Sequence, residues 1–263
     1  MNLPQINLIG VPITALPLME QIQVIIDWAK QRSSRVICVA NVHMLMEARW
    51  DNRFHKVLGG ADLVTPDGMP LVWLMKALGI KSQDRVAGLD IFLNVCQIAS
   101  KEEIKIYLLG CTQDILERIK LRLHREFPNV ILAGLEPLPF RPLTDSEDAE
   151  LVKRINASQA SIVFLALGCP KQEYWMAHHQ GKIKAVMIGI GGVFPVYAGL
   201  KKNAPEWVKV GGLEWLYRLV QEPKRLWNRY RKTIPPFIFL ALQQLVLEYK
   251  HGVFSLNQKK KAL

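Results

Sequence analysis

The sequence of 263 residues lacks the compact motifs by which metal and nucleotide enzymes are usually recognised. It has no HExxH, no DxD and no Cys and His set at metal-ligand spacing, so a metal-dependent sugar-nucleotide site has little support. GxxxxGK[ST] is absent as well, which argues against a P-loop protein. The string at 189–194 fails as a dinucleotide fingerprint, because Phe194 stands where GxGxxG needs Gly. We therefore expect no metal and no cofactor, and a nicotinamide-dependent oxidoreductase is disfavoured.

Cysteine and long apolar runs are also scarce. The four cysteines are far apart and form no CxxC pair, which fits a reducing compartment better than a disulfide framework; they are Cys38, Cys96, Cys111 and Cys169. The N-terminal stretch 1–13 lacks the basic flank and apolar run of a signal peptide, so we expect a cytosolic protein. The apolar stretch 234–247 holds about 14 residues, fewer than the ~20 of a spanning helix. We expect it to lie on, or pack against, another surface.

Acidic residues are scarce only in the C-terminal quarter of the chain. The net charge is +11, and residues 201–263 carry 13 Lys or Arg against 4 Asp or Glu. Residues 1–200 are nearly balanced, with 21 against 19. A basic terminal segment is typical of a protein with an anionic partner, either nucleic acid or an acidic lipid surface. A merely solubilising tail is the alternative.

The remaining composition predicts a folded α/β protein. Half of the residues are hydrophobic and 22% are charged, which excludes a disordered chain. Apolar runs that predict strands are Ile6–Gly10, Val36–Ala40, Leu63–Thr65, Ile104–Gly110, Val130–Ala133, Ile162–Leu167 and Ala185–Gly189. Helical patterns between them are Leu18–Gln31, Asn41–Arg53, Met69–Leu78, Ile91–Ser100, Asp114–Glu126 and Asp145–Ser158. Continuous apolar strands separated by helices predict a mostly parallel sheet flanked by helices on both faces.

A change of composition near Ala204 predicts two parts, a main domain at 1–203 and an appendage at 204–263. The appendage is rich in Trp, Tyr and Arg, and Pro223 is suited to begin a helix. On one continuous helical wheel, a narrow arc holds the basic residues Arg218, Arg225, Arg229 and Lys232. Apolar and aromatic residues lie opposite, which predicts an amphipathic helix at a membrane surface. Packing of that helix on the main domain or on a second subunit is the alternative.

Candidate catalytic residues follow the predicted strands, at the sheet edge where open α/β sheets bind ligands. Pro66 and Gly68 place Asp67 at a strand–helix corner, where its carboxylate can act as a general base. Asp67 can instead cap the helix that follows. Asn41 can cap its helix or bind a sugar hydroxyl. We interpret His43 as a helix-surface or core histidine, with a ligand role as the alternative.

Two further groups of residues suit the binding of phosphate. Arg85 can bind a phosphate through two hydrogen bonds or lie on the surface, and Asp90 is expected to cap the helix from Ile91. The turns at 167–173 and 189–194 offer glycine N–H groups and a lysine, which together can cradle a diphosphate. The candidate substrate contacts in these turns are Gly168, Lys171, Gln172, Glu173, Gly191 and Gly192.

Taken in order, several strings of the sequence resemble the WecG/TagA/CpsF glycosyltransferase family. They are NVHMLMEA, ADLVTPDGMPLVW, DRVAGLD, YLLG, LGCPKQE, GIGGVF and the tail APEWVKVGGLEWLYRLVQEPKRLWNRY. They run in family order from about residue 5 to residue 232, nearly the whole chain. One such string would be weak, whereas the ordered set is highly specific.

The resemblance implies a Rossmann-like, inverting, metal-independent hexosyltransferase of cell-surface polysaccharide or teichoic-acid-type synthesis. Its implied substrates are a UDP-sugar, usually UDP-N-acetylmannosamine or its uronic acid, and undecaprenyl-diphosphate-linked N-acetylglucosamine. Carried over by motif, Asp67 becomes the catalytic base, Asn41 a pocket residue, Arg85 a diphosphate contact and Gln172 part of the nucleotide-sugar site. The basic tail resembles the family's appendage for membrane association and completion of the active site, which implies a peripheral protein on the inner face of the plasma membrane.

Two departures from the family pattern bear on the donor sugar. Pro195 stands where the family typically has Asp after Gly-Gly-Val-Phe, and Val39 stands where some members have Thr. A different donor, such as UDP-N-acetylmannosaminuronate or UDP-glucose, is therefore an alternative. A nucleic-acid-binding protein would leave the strand-end clusters without a role, so we expect no nucleic acid partner. A catalytically idle membrane scaffold and self-association of the chain stay open.

Overall fold

The computed structural model describes residues 3–139 and 141–261, with side chains up to residue 250. The strands of this part are β1 Gln5–Leu8, β2 Val11–Thr14, β3 Arg35–Ala40, β4 Leu63–Pro66, β5 Lys105–Gly110, β6 Ile131–Glu136, β7 Ile162–Ala166 and β8 Val186–Gly189. Its first six helices are α1 Leu18–Lys30, α2 Val42–Trp50, α3 Asn52–Gly59, α4 Met69–Ala77, α5 Gly88–Glu102 and α6 Gln113–Glu126. The others are α7 Asp145–Ala157, α8 Lys171–His179, α9 Val193–Tyr197, α10 Glu206–Val210, α11 Glu214–Gln221 and α12 Pro223–Lys261.

The predicted α/β sheet is confirmed. Six strands form a parallel sheet in the order β4-β3-β8-β7-β5-β6. Because successive side chains of a strand point to opposite faces, Val36 and Cys38 of β3 join one buried core while Ile37 and Val39 join the other. Helices α1, α5, α6 and α9 cover the second core, and α2, α3, α4, α7, α8 and α12 cover the first. This two-sided cover explains why the strand sequences are apolar throughout.

The predicted first strand does not join this sheet. Residues 6–10 contain β1 and the turn that follows it, and β1 pairs antiparallel with β2 in a separate hairpin. Ile9 and Gly10 both have positive φ, and the side chain of Asn7 accepts a hydrogen bond from Gly10 N at 2.7 Å. Ile rarely adopts positive φ, and the turn lacks the Asn-Gly or Asp-Gly pair that usually indicates a hairpin. The hairpin could therefore not be recognised from local sequence. The hairpin lies beside β4, where Val64 N donates to Thr14 Oγ1 at 3.1 Å.

The predicted helix at 41–53 is two helices, because Asp51 interrupts it. Asp51 has extended backbone angles and its side chain accepts hydrogen bonds from Arg53 N and Phe54 N, so it caps α3. The prediction for Asp90 was also wrong, since α5 begins at Gly88 and Asp90 lies in its first turn.

The appendage is confirmed as helical, but its basic residues do not lie on one continuous helix. Glu222 ends α11 with non-helical backbone angles, and α12 begins at Pro223 as predicted. Arg218 therefore lies on a different helix from Arg225, Arg229 and Lys232. Proline has no backbone N–H to continue the hydrogen bonds of α11, which accounts for a break that helical periodicity alone does not show. None of the described helices is both long and apolar enough to span a bilayer.

Replacing Asp51 with Ala should destabilise the fold. The substitution removes the cap of α3 and the 2.8 Å hydrogen bond that Tyr174 Oη donates to Asp51. The expected loss in the free energy of unfolding is about 1–2 kcal/mol, measured by urea denaturation. Asp51→Asn keeps one side-chain oxygen as the cap acceptor for Arg53 N and Phe54 N, and its amide nitrogen can donate to Tyr174 Oη in place of the second acceptor, so the variant should stay within about 0.5 kcal/mol of wild type. Equal losses in the two variants would contradict the capping role.

Candidate active site

A cavity of about 750 Å³ opens at the carboxyl ends of four neighbouring strands. Each strand contributes the residues that follow it: Asn41 after β3, Asp67 after β4, Gly168 after β7 and Gly191 after β8. Side chains from α4, α11 and α12 form the opposite wall. The fold therefore brings together residues that lie far apart in the sequence, at the strand ends where they were predicted to meet. Residues of the appendage complete the wall of the cavity.

Asp67 lies at the base of this cavity with its side chain about one quarter exposed. Its backbone N–H donates to Ala40 O at 2.7 Å, which ties the end of β4 to the end of β3. Gly68, at φ +145°, then turns the chain into α4. No side chain caps α4, so the capping alternative for Asp67 is wrong. Its carboxylate is left facing the cavity.

Arg85 connects the main domain to the appendage through carboxylates on both sides. Its Nη1 donates to Glu214 Oε2 at 3.1 Å, and its Nη2 donates to Asp90 Oδ2 at 3.1 Å. Asp67 Oδ1 lies 3.7 Å from the same Nη1. Glu214 is held from the other side by Arg218, whose Nε donates to Glu214 Oε1 at 2.8 Å. The charges therefore alternate across the junction, and an anionic ligand can compete with Glu214 for both arginines.

The surroundings of Asp67 raise its pKa to about 7. Burial is the largest cause and the nearby carboxylate of Glu214 is the next, while Arg218 and Arg85 act in the opposite direction. A carboxyl group whose pKa lies near neutrality accepts a proton more effectively than an ordinary aspartate and is still ionised in much of the population. Asp67 is thus suited to remove a proton from a bound hydroxyl.

Gln172 connects the two glycine turns. Its Oε1 accepts from Gly168 N at 3.2 Å, and its Nε2 donates to Glu173 Oε1 at 2.7 Å. A Cβ at position 189 would come within 2.9 Å of Gln172 Nε2, so only glycine lets this side chain lie against β8. Glu173 itself is fully buried behind Gln172. Gln172 lines the cavity, whereas Glu173 sets the orientation of its amide.

The structure separates the predicted site residues into two groups. Those that line the cavity are Asn41, Asp67, Arg85, Gly168, Gln172, Gly191, Gly192, Arg218, Arg225 and Arg229. Those that do not line it are Lys171, Glu173 and Lys232. Lys171 and Lys232 point to solvent, because each lies on the outer side of its helix. The substrate roles of all these residues stay predictions.

Asn41 and His43 both lie on the wall of the cavity. Asn41 Oδ1 accepts from Met44 N at 3.2 Å, so the cap of α2 uses its oxygen and leaves its amino group for a ligand. Burial, together with the nearby Arg229, lowers the pKa of His43 to about 4. His43 therefore contributes a neutral imidazole at the pH of the cell.

Glu214 was not identified from the sequence as a residue of the cavity. Asp90 was also not identified as a partner of Arg85. Glu214 lies 129 positions from Arg85, so no local pattern could have paired them. The spacing of Glu214 and Arg218, four residues apart on a helix, was the available signal of an ion pair. Lys209 also lines the cavity and adds a further cation to this wall.

One cluster among the described residues has the composition of a metal site, formed by Asp148, His178 and His179. Its ligand atoms are already paired: the ring nitrogens of His179 lie 2.7 Å from Trp175 O and from Asp148 Oδ2. Trp175 Nε1 donates to the other oxygen of Asp148 at 3.2 Å. The cluster is explained as a hydrogen-bonded link between α7 and α8, and its residues do not line the cavity.

Wild type should lose stability between pH 5 and 7, and replacing Glu173 with Gln should reduce that loss. Burial raises the pKa of Glu173 to about 7, so only the folded state holds this proton across that range. Stability therefore falls as pH rises, by about 1.4 kcal/mol for each pH unit that the proton covers. Gln keeps the acceptor for Gln172 and removes the proton.

Urea denaturation at pH 5, 6 and 7 measures this change. Glu150→Gln, which removes an exposed carboxylate on α7, should keep the wild-type dependence and is the control. An unchanged dependence in Glu173→Gln would contradict the account of the buried carboxyl.

Comparison with known proteins assigns this fold and cavity to a family. The model of the glycosyl transferase WecG/TagA/CpsF family matches residues 6–251. A relative from Bacillus subtilis (strain 168) is 32% identical over 218 residues, which cover 81% of each chain. A relative from Staphylococcus aureus (strain MW2) is 28% identical over 243 residues, which cover 90% of this chain and 92% of the relative. Both relatives are named N-acetylglucosaminyldiphosphoundecaprenol N-acetyl-beta-D-mannosaminyltransferase.

The matched region includes the four strand ends, Arg85 and the appendage up to residue 251. It therefore contains every described residue that lines the cavity. The chain belongs to the WecG/TagA/CpsF glycosyltransferase family.

Proposed function

We propose that the protein transfers N-acetylmannosamine from a UDP-sugar to N-acetylglucosamine carried on undecaprenyl diphosphate. The observation that carries this proposal is Asp67, a carboxylate with a pKa near 7 in a cavity lined by arginines at the carboxyl edge of the sheet. Family membership and the names of the relatives support the substrate pair. Those names favour N-acetylmannosamine over its uronic acid or glucose, even though Pro195 and Val39 depart from the family pattern.

The proposed reaction is a single displacement. The 4-hydroxyl oxygen of the acceptor sugar attacks the anomeric carbon of the donor while Asp67 takes the hydroxyl proton. The bond between that carbon and the diphosphate oxygen breaks, and UDP leaves with the electron pair. One base and no enzymic nucleophile are needed, so the anomeric configuration inverts.

Positive charge for the leaving diphosphate is available without a metal in this proposal. Arg85, Arg218, Arg225 and Arg229 line the cavity, and the glycine turns offer backbone N–H groups. Arg225 is paired with Glu222 at 2.6 Å. Arg229 makes no ion pair within the described part of the chain, which leaves it available to an anion. Fixed cations of this kind stabilise charge that develops in a transition state.

We also propose that the appendage holds the protein against an anionic membrane. Its helices expose both large apolar residues and cations, namely Trp207, Val220, Trp227, Lys224, Arg231 and Lys232. Aromatic and basic side chains mixed on one exposed surface are typical of proteins at a lipid interface. This arrangement would bring the cavity to the surface from which a lipid-linked acceptor is presented.

Replacing Asp67 with Asn should lower kcat by at least about 100-fold, because a general base is worth about 10²–10⁴ in rate. The measurement is UDP release with UDP-N-acetylmannosamine and a lipid-linked N-acetylglucosamine acceptor. The variant should remain at least as stable as wild type at pH 7, since Asn removes a carboxylate that burial disfavours.

Asp114→Asn, which changes an exposed aspartate of α6, is the matched control and should keep wild-type turnover. Near-normal turnover in Asp67→Asn would eliminate the proposed base. If wild type released UDP from none of the UDP-sugars supplied with the acceptor, the proposed transferase activity itself would be eliminated.

Reversing two exposed charges, in Arg231→Glu with Lys232→Glu, should weaken binding to vesicles of phosphatidylglycerol and phosphatidylcholine by about 30-fold or more. Each basic residue near an anionic surface contributes about 1 kcal/mol. Co-sedimentation measures the change. The control reverses the charges of Arg118 and Lys120 on α6, a helix that covers the face of the sheet opposite to α12. Equal binding by both double variants and wild type would remove the membrane role.

A further inference from the structure

The cavity extends well beyond the residues assigned to chemistry. From the charged end near Asp67 it continues along α12, and lining residues occur on this helix from Arg225 to Leu245. Over a rise of 1.5 Å per residue, those 20 steps correspond to about 30 Å of helix. A nucleotide sugar and an acceptor sugar at Asp67 account for the charged end alone, so the remaining length calls for another part of a ligand.

The distal lining of α12 is an apolar stripe on one side of the helix. Its residues recur every three or four positions and are Ile234, Phe237, Ile238, Ala241, Leu242 and Leu245. The stretch 233–247 contains no charged residue. Phe237 is buried in the core and fixes the helix in place, whereas Ile238 and Leu242 remain more than half exposed although they line the cavity. Their apolar surface is therefore free to be covered by a ligand.

The opposite side of this end is apolar as well. Trp73, Leu74 and Ala77 of α4 line the cavity across from α12. Trp73 is half exposed, and a Cβ at Gly212 would overlap its ring, so the turn between α10 and α11 packs against it. We call the space between α4 and this part of α12 the distal groove. It continues from the charged end as part of one cavity.

The order of residues along α12 matches the order of groups in one class of lipid. Arg225 and Arg229 come first, and the apolar stripe begins five residues after Arg229. A polyprenyl diphosphate has the same order, two phosphates followed by an uncharged branched hydrocarbon. A helix that presents cations and then hydrocarbon to one cavity can bind both parts at once.

We propose that the distal groove binds the first isoprene units of the acceptor's polyprenyl chain. This inference rests on the proposed function, because it takes the acceptor to be a polyprenyl-diphosphate-linked sugar. The groove side of α12 from Ile234 to Leu245 spans about 17 Å, which limits the bound part to the units nearest the diphosphate. The rest of the chain remains in the bilayer. Recognition of the lipid is thus divided between the arginines and the groove.

The test compares soluble acceptors that differ only in their tails. N-acetylglucosamine is linked through diphosphate to dimethylallyl, geranyl or farnesyl groups, and each is used below its micelle concentration, without detergent or vesicles. Burying a methylene tightens binding by up to about fourfold, so kcat/KM for wild type should rise at least 10-fold from dimethylallyl to farnesyl. Calorimetric binding of the same acceptors without a donor should show the same trend.

Two variants obstruct the groove in different ways. Ala77→Trp fills it from the exposed side of α4, and Leu242→Asp places a charge in it. In both variants the rise with tail length should shrink to less than threefold. Phe239→Asp makes the same kind of change three residues away on α12, at a position that is 67% exposed and outside the cavity lining, and should keep the wild-type rise.

Thermal unfolding of each variant establishes that it is folded. A wild-type kcat/KM that does not depend on tail length, or a full rise in both groove variants, would overturn the proposal. If no acceptor is glycosylated at all, the proposed function fails, and calorimetry still decides whether the tail binds in the groove.

Discussion

The contact between Arg85 and Glu214 is the interaction on which the site depends. It joins a loop of the parallel sheet to the first turn of α11, and no other described ion pair connects Arg85 with the appendage. Through Arg218, which holds the other oxygen of Glu214, the same contact places three charged side chains beside Asp67. Apolar packing of α12 on the core anchors the appendage, and this contact fixes where its charged side chains meet those of the strand ends. The appendage is therefore part of the cavity that contains Asp67.

This arrangement reconciles two opposing requirements of the proposed transfer. A carboxylate that acts as a general base must be shielded from water for its pKa to rise, yet a leaving diphosphate requires positive charge close by. Burial and Glu214 raise the pKa of Asp67, while Arg85 and Arg218 keep that rise within the range in which the carboxylate is still populated. A diphosphate that displaced Glu214 from the arginines would bring its own negative charge, so the balance around Asp67 would persist when the site is occupied.

The parts of this structure that could be predicted from the sequence are those that depend on neighbouring residues in the chain. The parallel strands follow from continuous apolar runs, and the corner at Asp67 follows from Pro66 and Gly68. The features that could not be predicted are exceptions to those local patterns, or contacts between residues that lie far apart in the sequence. Ile9 forms a turn that its side chain disfavours, Asp51 divides an apparently continuous helix, and Glu214 meets Arg85 only after the chain has folded. Lys171 was assigned to the cavity because of its neighbours in the sequence, yet helix geometry turns it outward.

The most direct test of this account is the titration of the Asp67 carboxyl group, followed by carbon-13 NMR in the full-length protein and in a Glu214→Gln variant. The account predicts a pKa near 7 in wild type and a lower pKa in the variant, because the substitution removes the negative charge of Glu214 and frees Arg85 and Arg218 to act on Asp67. Titration of wild-type Asp67 near pH 4, or an identical pKa in both proteins, would contradict the claim that the appendage tunes the base.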